Sequence, residues 1–322
     1  MSGEFDRIAR YFAPLAAAEG LGLADDAAVW TPPAGRQAVL TVDQMIEGVH
    51  FLPDDPPDLV ARKLMRRNLS DLAAMGARPE GYLLATALRA DTPEAWLAGF
   101  AAGLAADQAA FGAPLWGGDS SSTPGPVTTA ITMIGSLEPG TALRRGGALP
   151  GEAIFVTGTI GDAVLGLQAA RGEIGDPTGG LRARRLLPTP RTGLALAGIA
   201  TAAIDVSDGL VQDLGHVCRA SGCGAVIEAG LVPLSDAARA AGPGWRATIL
   251  TGGDDYELLI AAPAGLQAAL EAACADVRLT RIGRFVAGKP DVVVVDEDGR
   301  PVPLGREGWQ HFQSIIRSDG AI

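Results

Sequence analysis

The sequence predicts a two-domain α/β protein in which each domain is built around a mixed sheet (α+β character). The length of 322 residues is about twice the roughly 150 residues of a typical domain. Hydrophobic residues make up 48% of the chain and charged residues 20%, so each half contains enough apolar surface for a core. Strand-like and helix-like segments alternate throughout, which is typical of folds that pack helices on sheets.

The first half of the chain has a βαβ-type pattern. Hydrophobic periodicity and helix-start signals give the boundaries of its elements. The predicted helices are 4–18, 58–75 and 93–110, and the predicted strands are 37–43, 82–88 and 127–137. The first of these strands ends in a carboxylate, that of Asp43.

A short polar segment after the last of these strands predicts a domain boundary. Pro139-Gly140 and Pro150-Gly151 bracket it, so we place the domains at 1–140 and 150–322. In the second domain a glycine-rich loop is expected at 172–180. The predicted helices are 161–171, 190–202, 208–220 and 264–275, and the predicted strands are 153–157, 203–206, 224–229, 256–262, 279–285 and 291–295.

The charge balance excludes several classes of partner. Lys plus Arg is 26 and Asp plus Glu is 37, giving a net charge of −11, so nucleic acids and anionic membranes are not expected partners. No stretch reaches about 18 consecutive apolar residues, so no membrane-spanning helix is expected. Cys218, Cys223 and Cys274 lack CxxC spacing, and no signal peptide is recognised. These features predict buried thiols in a cytoplasmic protein.

Aspartates at element boundaries, several of them in apolar or glycine-rich sequence, are the most informative feature. They are Asp25-Asp26, Asp43, Asp71, Asp119, Asp205, Asp208 and Asp254-Asp255. Each alone is better explained as a helix cap or turn residue. As a set they favour a site for divalent cations and phosphate, because carboxylates in apolar surroundings need a partner and few basic residues lie near them in sequence. The glycines would let backbone N–H groups approach phosphate oxygens closely.

The common nucleotide-binding and nucleophile motifs do not account for this site. The segment 283–290 nearly matches GxxxxGK[ST], but Pro290 replaces the hydroxyl residue and 291–296 has a strand pattern, so we reject it. No GxSxG and no kinase HRD or DFG set is found. His50 is either an ordinary loop residue or a substrate contact, and no nucleophile–base pair is suggested by spacing.

The ordered set of motifs resembles the thiamine-monophosphate kinase family, within the superfamily of aminoimidazole-ribonucleotide-synthetase-like ATP enzymes. The resemblance spans nearly the whole chain, and the order of the motifs makes it specific. The matching motifs are 3–12, Asp25-Asp26, Thr41-Val-Asp43, Gly48-Val-His-Phe-Leu-Pro53, Asn68-Leu-Ser-Asp-Leu-Ala-Ala-Met-Gly76, Gly117-Gly-Asp119, Asp205-Val-Ser-Asp-Gly209 and Gly252-Gly-Asp-Asp-Tyr-Glu-Leu258.

The resemblance implies transfer of the ATP γ-phosphoryl group to thiamine monophosphate in a homodimer whose N-terminal sheets associate. The implied Mg²⁺ ligands are Asp26, Thr41, Val42, Asp43, Asp71, Asp119, Asp205 and Asp208, with Val42 offering only its carbonyl. The implied ATP contacts are Gly118, Asp119, Arg145 and Ser207. The implied thiamine-phosphate contacts are His50, Asp254 and Trp309, although the family usually has Glu at the position of Asp254. The implied catalytic set is Asp43, Asp119 and Arg145.

These expectations favour direct in-line transfer, because a phosphate acceptor is already an anionic nucleophile and needs no strong general base. Three alternatives stay open. One is another ATP-dependent synthetase of the same superfamily. The second is a Mg²⁺-dependent phosphohydrolase with water as acceptor. The third is a nucleotide-binding module without turnover.

Overall fold

Two mixed sheets, one in each half of the chain, form the framework of the structure, a computed structural model that describes residues 4–305 and 308–309. The first sheet has the order β1-β4-β2-β3, in which only β2 and β3 are parallel neighbours. Its strands are β1 (Gln37–Ile46), β2 (Arg78–Leu88), β3 (Leu115–Ser122) and β4 (Thr128–Leu137). The helices of this half are α1 (Glu4–Arg7), α2 (Pro57–Ala74) and α3 (Glu94–Phe111).

The first sheet is covered on one face only. The side chains of β1 alternate, as the pleat of a strand requires, so Thr41, Asp43 and Met45 share the face turned towards α2. On the opposite face Leu40 is 67% exposed and Val42 64% exposed. An antiparallel sheet in water usually places polar residues on its uncovered face, so this face has an unusual apolar character.

The second sheet is covered on both faces. Its order is β10-β7-β9-β5-β8-β6, with β10 and β7 parallel. Ile154 and Val156 of β5 belong to one core cluster, whereas Ala153 and Phe155 belong to another, because alternate side chains point to opposite faces. The strands are β5 (Ala153–Thr157), β6 (Ala202–Asp205), β7 (Gly224–Glu228), β8 (Leu258–Ala262), β9 (Leu279–Val286) and β10 (Val292–Val295). The helices are α4 (Asp162–Ala170), α5 (Gly180–Leu186), α6 (Leu210–Ser221), α7 (Asp236–Ala240), α8 (Arg246–Thr251) and α9 (Gln267–Ala273).

Helix α2 lies between the two halves. Pro57 occupies its first position, where a missing N–H costs nothing. Twelve of its 18 residues are buried, as expected of a helix packed on more than one side. Arg66 donates to the Pro188 carbonyl of the second half at 2.8 Å, and Arg185 forms a buried ion pair with Asp55, just before the helix. These contacts fix the junction at which the candidate site lies.

Most predicted elements are confirmed within a few residues, including the helices at 58–75 and 93–110. The helix predicted at 4–18 is helical from Glu4 to Leu15 but irregular, since α1 continues into a π-helical turn at Ile8–Phe12 and a 3-10 turn at Ala13–Leu15. Strand β3 and helices α5, α7 and α8 were not predicted from the sequence. The rejected phosphate-loop match falls on β9 and the connection to β10, which agrees with its rejection.

The helix expected at 190–202 is wrong. This alanine-rich segment runs through turns, and Gly193 and Gly198 have φ angles of 81° and 76°, in the left-handed region that interrupts a helix. Leu196 is nevertheless buried, against the second sheet. The apolar composition therefore reflected burial and not helical periodicity.

The described part of the chain contains no helix that is long and apolar enough to cross a bilayer. Cys218, Cys223 and Cys274 are free and buried, as the sequence predicted.

Candidate active site at the domain junction

The motif Asn68-Leu-Ser-Asp71 on α2 connects both sheets. The Asn68 side-chain oxygen accepts from the backbone N–H of Asp43 at 3.1 Å, and the Thr41 hydroxyl donates to the Asp71 carboxylate at 2.6 Å, so both contacts hold β1. The Ser70 hydroxyl donates to Asp205 at 2.8 Å, at the end of β6 in the second half. One turn of helix thus brings acids from three separate motifs together.

The carboxylates in this cluster lack a full complement of positive charge. Burial, with a contribution from the negative charge of Asp43, raises the pKa of Asp71 to about 6. Burial raises the pKa of Asp205 to about 7, and the charge of Asp71 adds to the effect. Carboxylates that are buried near one another repel, so the site has an excess of negative charge that a bound cation would relieve.

Two basic side chains on the same face of α2 border the acids. Arg67 lies one turn before Asp71, and its Nε and Nη2 contact the two Asp43 oxygens at 3.2 and 3.4 Å. Lys63 lies one turn earlier again and is 1% exposed. Its ammonium donates to Asp254 at 2.7 Å and to the His50 carbonyl at 3.1 Å. Lys63 therefore joins two of the predicted substrate contacts.

The loop before β8 presents Asp254 in a constrained conformation. Asp254 and Tyr256 have φ angles of 72° and 51°, which are uncommon for residues with a side chain. The Tyr256 hydroxyl donates to one Asp254 oxygen at 3.0 Å, while Lys63 binds the other. Burial opposes ionisation of Asp254, but the charges of Lys63 and Arg67 outweigh it and hold the pKa of that carboxyl below its usual value.

The loop that contains Ser207 is attached to the Asp254 loop through the backbone. The Asp254 N–H donates to the Ser207 carbonyl at 2.8 Å, and a Cβ atom at Gly253 would lie 2.1 Å from the same oxygen. Asp213 accepts three backbone N–H groups, those of residues 207, 208 and 209, at 3.0 Å each. These bonds give the predicted ATP contact and the predicted substrate contact a common, fixed frame.

Two further predicted substrate contacts lie at the edge of this frame. The backbone N–H of Trp309 donates to the Asp208 carbonyl at 3.0 Å, and the Trp309 side chain is 47% exposed. His50 Nδ1 accepts from the backbone N–H of Ile46 at 3.0 Å, which leaves the ring proton of the neutral imidazole on Nε2. The His50 ring and the main chain of Trp309 are therefore each fixed by a hydrogen bond to the backbone.

Other predicted site residues lie outside the cluster. Asp26 is exposed in the loop before β1, and Gly118 and Asp119 are exposed on the edge strand β3. A Cβ at Gly118 would lie 1.8 Å from the Leu84 carbonyl oxygen, so strand packing alone requires this glycine. Arg145 is exposed in the linker between the two sheets. Its positive charge nevertheless acts on the carboxyls of Asp71 and Asp205 and lowers the pKa of each.

Asp43 also differs from the expectation that it ends a strand. Strand β1 continues to Ile46, because its pairing with β4 extends to Thr128. The carboxylate therefore projects from the middle of a strand. The sequence could not show this because the partner strand is more than 80 residues away.

No group of three or more His, Cys, Asp or Glu side chains in residues 4–305 and 308–309 is arranged so that it could hold a metal ion by itself. The donor chemistry nevertheless fits a hard divalent cation, since all the candidate ligands are oxygens and two of the acids lack compensation. Mg²⁺ in particular is usually held by one or two carboxylates together with phosphate oxygens and water.

Sequence reasoning missed Lys63, Arg67, Tyr256 and Asp213. A signal for the first two was present, since positions 63, 67 and 71 follow one another at i, i+4 spacing on the predicted helix and so share a face. For Asp213 the signal was its place in the first turn of the helix that follows the Asp205–Gly209 motif.

Comparisons with known proteins find relatives that match nearly the whole chain. The family model for the AIR synthase related protein, N-terminal domain, matches residues 24–137, and that for the C-terminal domain matches residues 150–296. The thiamine-monophosphate kinase of Caulobacter vibrioides is 42% identical over 324 aligned residues, covering 96% of this chain and 90% of that protein. The same enzyme of Escherichia coli (strain K12) is 41% identical over 327, covering 96% and 98%.

Solved structures of similar proteins share the fold. Thiamine-monophosphate kinase from Stenotrophomonas maltophilia K279a superposes with a TM-score of 0.79 and 39% identity, covering 87% of this chain and 91% of that one. AaThiL complexed with AMPPCP and TMP gives a TM-score of 0.77 and 30% identity, covering 89% and 91%. The hydrogenase maturation protein HypE in complex with ATP has the same fold at 18% identity and a TM-score of 0.76, covering 93% of each chain.

Proposed function

The chain belongs to the thiamine-monophosphate kinase family of AIR synthase related proteins, and from this premise we propose that it transfers the γ-phosphoryl group of ATP to thiamine monophosphate. The products are thiamine diphosphate and ADP. The observation that carries the proposal is a solved relative, 30% identical, that holds AMPPCP and TMP together. Three free, buried cysteines are consistent with a cytoplasmic enzyme.

The two loops at the domain junction bind different substrates. Ser207, together with Gly118, Asp119 and Arg145, contacts ATP. Asp254, His50 and Trp309 contact thiamine monophosphate, with the exposed indole of Trp309 available to stack on the thiamine rings. The backbone bonds between the two loops support this assignment, because donor and acceptor phosphates must meet at a fixed distance.

Divalent cations, Mg²⁺ by the family resemblance, fit the acidic side of the site. The residues that would hold them are Asp26, Thr41, Val42, Asp43, Asp71, Asp119, Asp205 and Asp208. Bound Mg²⁺ would supply charge neutralisation between two phosphate groups that otherwise repel. The chain itself orients the carboxylates through the hydroxyls of Thr41 and Ser70.

The decisive experiment is a coupled assay of ADP formation with ATP, Mg²⁺ and a panel of phosphorylated acceptors. We expect ADP to form only with thiamine monophosphate, together with thiamine diphosphate, while unphosphorylated thiamine serves as the matched control. ADP released without any acceptor would indicate a phosphohydrolase. ATP binding without turnover under every condition would indicate a nucleotide-binding module, and either result contradicts the proposal.

The transfer is direct and in line, without a phospho-enzyme. The acceptor oxygen is already anionic and needs no general base, and the hydroxyls of Thr41 and Ser70 orient the carboxylates of Asp71 and Asp205. We expect inversion of configuration at a chiral γ-phosphate. Retention would require a covalent intermediate and would contradict the single step.

A homodimer formed through the first sheet is part of the same proposal. Leu40, Val42 and Leu83 are exposed on the uncovered face, and apolar patches of this kind mark association surfaces. We expect light scattering to give the mass of two chains. Leu40→Glu combined with Leu83→Glu should give the mass of one, whereas Leu149→Glu, at another exposed leucine, should not. A monomeric wild-type protein would contradict the dimer.

A further inference from the structure

The resemblance gives no role to the two basic residues of α2 that border the acids, Lys63 and Arg67, and Arg67 is the one that contacts Asp43. We propose that Arg67 binds the phosphoryl group during transfer, so that a protein guanidinium contributes positive charge where the two phosphates meet. This inference rests on the proposed function, and it adds a phosphate-binding residue to it.

The contacts of Arg67 with Asp43 are long for an ion pair. They measure 3.2 and 3.4 Å, whereas charge-assisted N–H···O bonds are typically about 2.7–2.9 Å. The adjacent Arg66 shows what a settled pair looks like on the same helix, since it binds both Asp107 oxygens at 2.7 and 3.0 Å. The ion pair of Arg67 with Asp43 is therefore weaker than that of Arg66 with Asp107, and Arg67 can more easily exchange Asp43 for another acceptor.

One donor of Arg67 has no acceptor. Its Nη1 is buried and lacks a hydrogen-bond partner among the residues that the structure describes. A buried, unsatisfied donor is costly in a protein and needs a reason. In a site whose ligands are phosphates, the missing acceptor is supplied by a phosphate oxygen, and the planar fork of arginine matches that geometry.

The neighbours of Arg67 place it between the two substrate sides. Asp43, the predicted cation ligand, is on one side of it. On the other side is the Tyr256 ring, whose centroid lies 5.9 Å from the guanidinium carbon, and the Tyr256 hydroxyl binds Asp254 of the thiamine-phosphate loop. Arg67 thus contacts both the acid cluster, through Asp43, and the loop that carries Asp254, through Tyr256.

Exchange of partners explains why the pair with Asp43 is loose. If Asp43 directed its oxygens to a bound cation, the guanidinium would lose that acceptor, and Nε and Nη2 would join Nη1 in being available to a phosphate. Arginine stays protonated throughout the physiological range, so the charge that it offers does not depend on pH. Before substrates arrive, the same arginine partly neutralises Asp43.

The test compares Arg67→Met and Arg67→Lys with Arg62→Met as the matched control. Arg62 lies on the same helix, and its acid partner Asp107 keeps Arg66 when Arg62 is lost. We expect Arg67→Met to lower kcat by about 10- to 100-fold, the range for a hydrogen bond to a charged group, with partial recovery in Arg67→Lys. Arg62→Met should behave as wild type.

Equilibrium binding measurements show whether Arg67 binds phosphate itself or only positions the Asp43 side chain. By titration calorimetry, Arg67→Met should bind AMPPCP or thiamine monophosphate about tenfold more weakly. Its affinity for Mn²⁺ alone, followed by electron paramagnetic resonance, should be unchanged or higher, because a competing positive charge has gone. Loss of Mn²⁺ affinity in parallel with activity would show that Arg67 only positions Asp43, and would overturn the proposal.

Two further outcomes are decisive. If Arg67→Met has the same kcat and the same ligand affinities as the control Arg62→Met, the proposed role of Arg67 is also overturned. If the wild-type enzyme does not phosphorylate thiamine monophosphate, the proposed function fails by itself, and AMPPCP binding by the same variants still decides whether Arg67 holds phosphate. Thermal unfolding of each variant confirms that the fold is retained.

Discussion

Two groups of buried carboxylates in this molecule have very different partners. Asp107 and Glu257 are both 0% exposed, and each accepts hydrogen bonds from two arginines. Asp71 and Asp205, at the domain junction, accept from hydroxyl groups instead, and their pKa values are raised. The chain therefore pairs Asp107 and Glu257 with arginines and leaves Asp71 and Asp205 bound to hydroxyl groups, which favours a cation beside them.

The largest effect on activity is expected for Asp205→Asn. We expect turnover to fall by roughly 1,000-fold, since a cation ligand contributes several kcal/mol of charge stabilisation. The free energy of unfolding without metal should be unchanged or higher, because repulsion with Asp71 is removed and the amide oxygen can still accept from Ser70. The measurements are steady-state kinetics and urea unfolding. Normal turnover in saturating and limiting Mg²⁺ would contradict the assignment of Asp205.

Asp107→Asn should give the opposite result. Its two arginine partners would keep their charges without a matching carboxylate, so we expect the free energy of unfolding to fall by about 3 kcal/mol. Turnover at a temperature where the variant stays folded should be close to that of wild type, because Asp107 lies away from the site. A stable variant with low activity would show that the two groups of acids do not differ as described.

Asp255 is an intermediate case, with backbone N–H groups as its partners. It is 0% exposed and accepts from Gly161 and Ala163, and burial raises its pKa from 3.8 to about 8. Between these two values the folded state binds more protons than the unfolded state. The stabilising contribution is complete below pH 3.8 and is lost as the pH rises to about 8.

We therefore expect Asp255→Asn to lose less stability than wild type between pH 5 and about 8, by at most about 1.4 kcal/mol per pH unit. Urea unfolding at several pH values in metal-free buffer measures the difference between the two proteins. Parallel stability profiles for wild type and variant would mean that Asp255 is ionised throughout this range.

The smallest effect is expected where an acid and an arginine meet in solvent. Arg239 and Asp236 form an ion pair on α7 with side chains 54% and 98% exposed. Arg239→Ala should change the free energy of unfolding by less than about 0.5 kcal/mol, since water already solvates both charges. A larger loss of stability would show that an exposed ion pair in this protein can stabilise the fold as much as a buried one.

The elements of the site could be predicted from the sequence to a useful extent. Helix α2 followed from the spacing of its apolar residues, and the family membership predicted from the ordered motifs is confirmed by the comparisons. The acids that converge, Asp71 and Asp205, were both among the predicted ligands. Turn-rich segments such as 190–202 were harder, because burial can make a non-helical segment as apolar as a helix.

Local sequence determined which residue types stand at each element boundary, since caps, glycine turns and apolar spacing depend on neighbours along the chain. Only the tertiary structure decided how these residues pair. Ser70 and Asp205 are 135 positions apart, and Lys63 and Asp254 are 191 apart. Such contacts arise when two separately formed sheets pack on α2, and no short-range pattern records them. For the same reason, only the tertiary structure shows which buried acids have a basic partner and which do not.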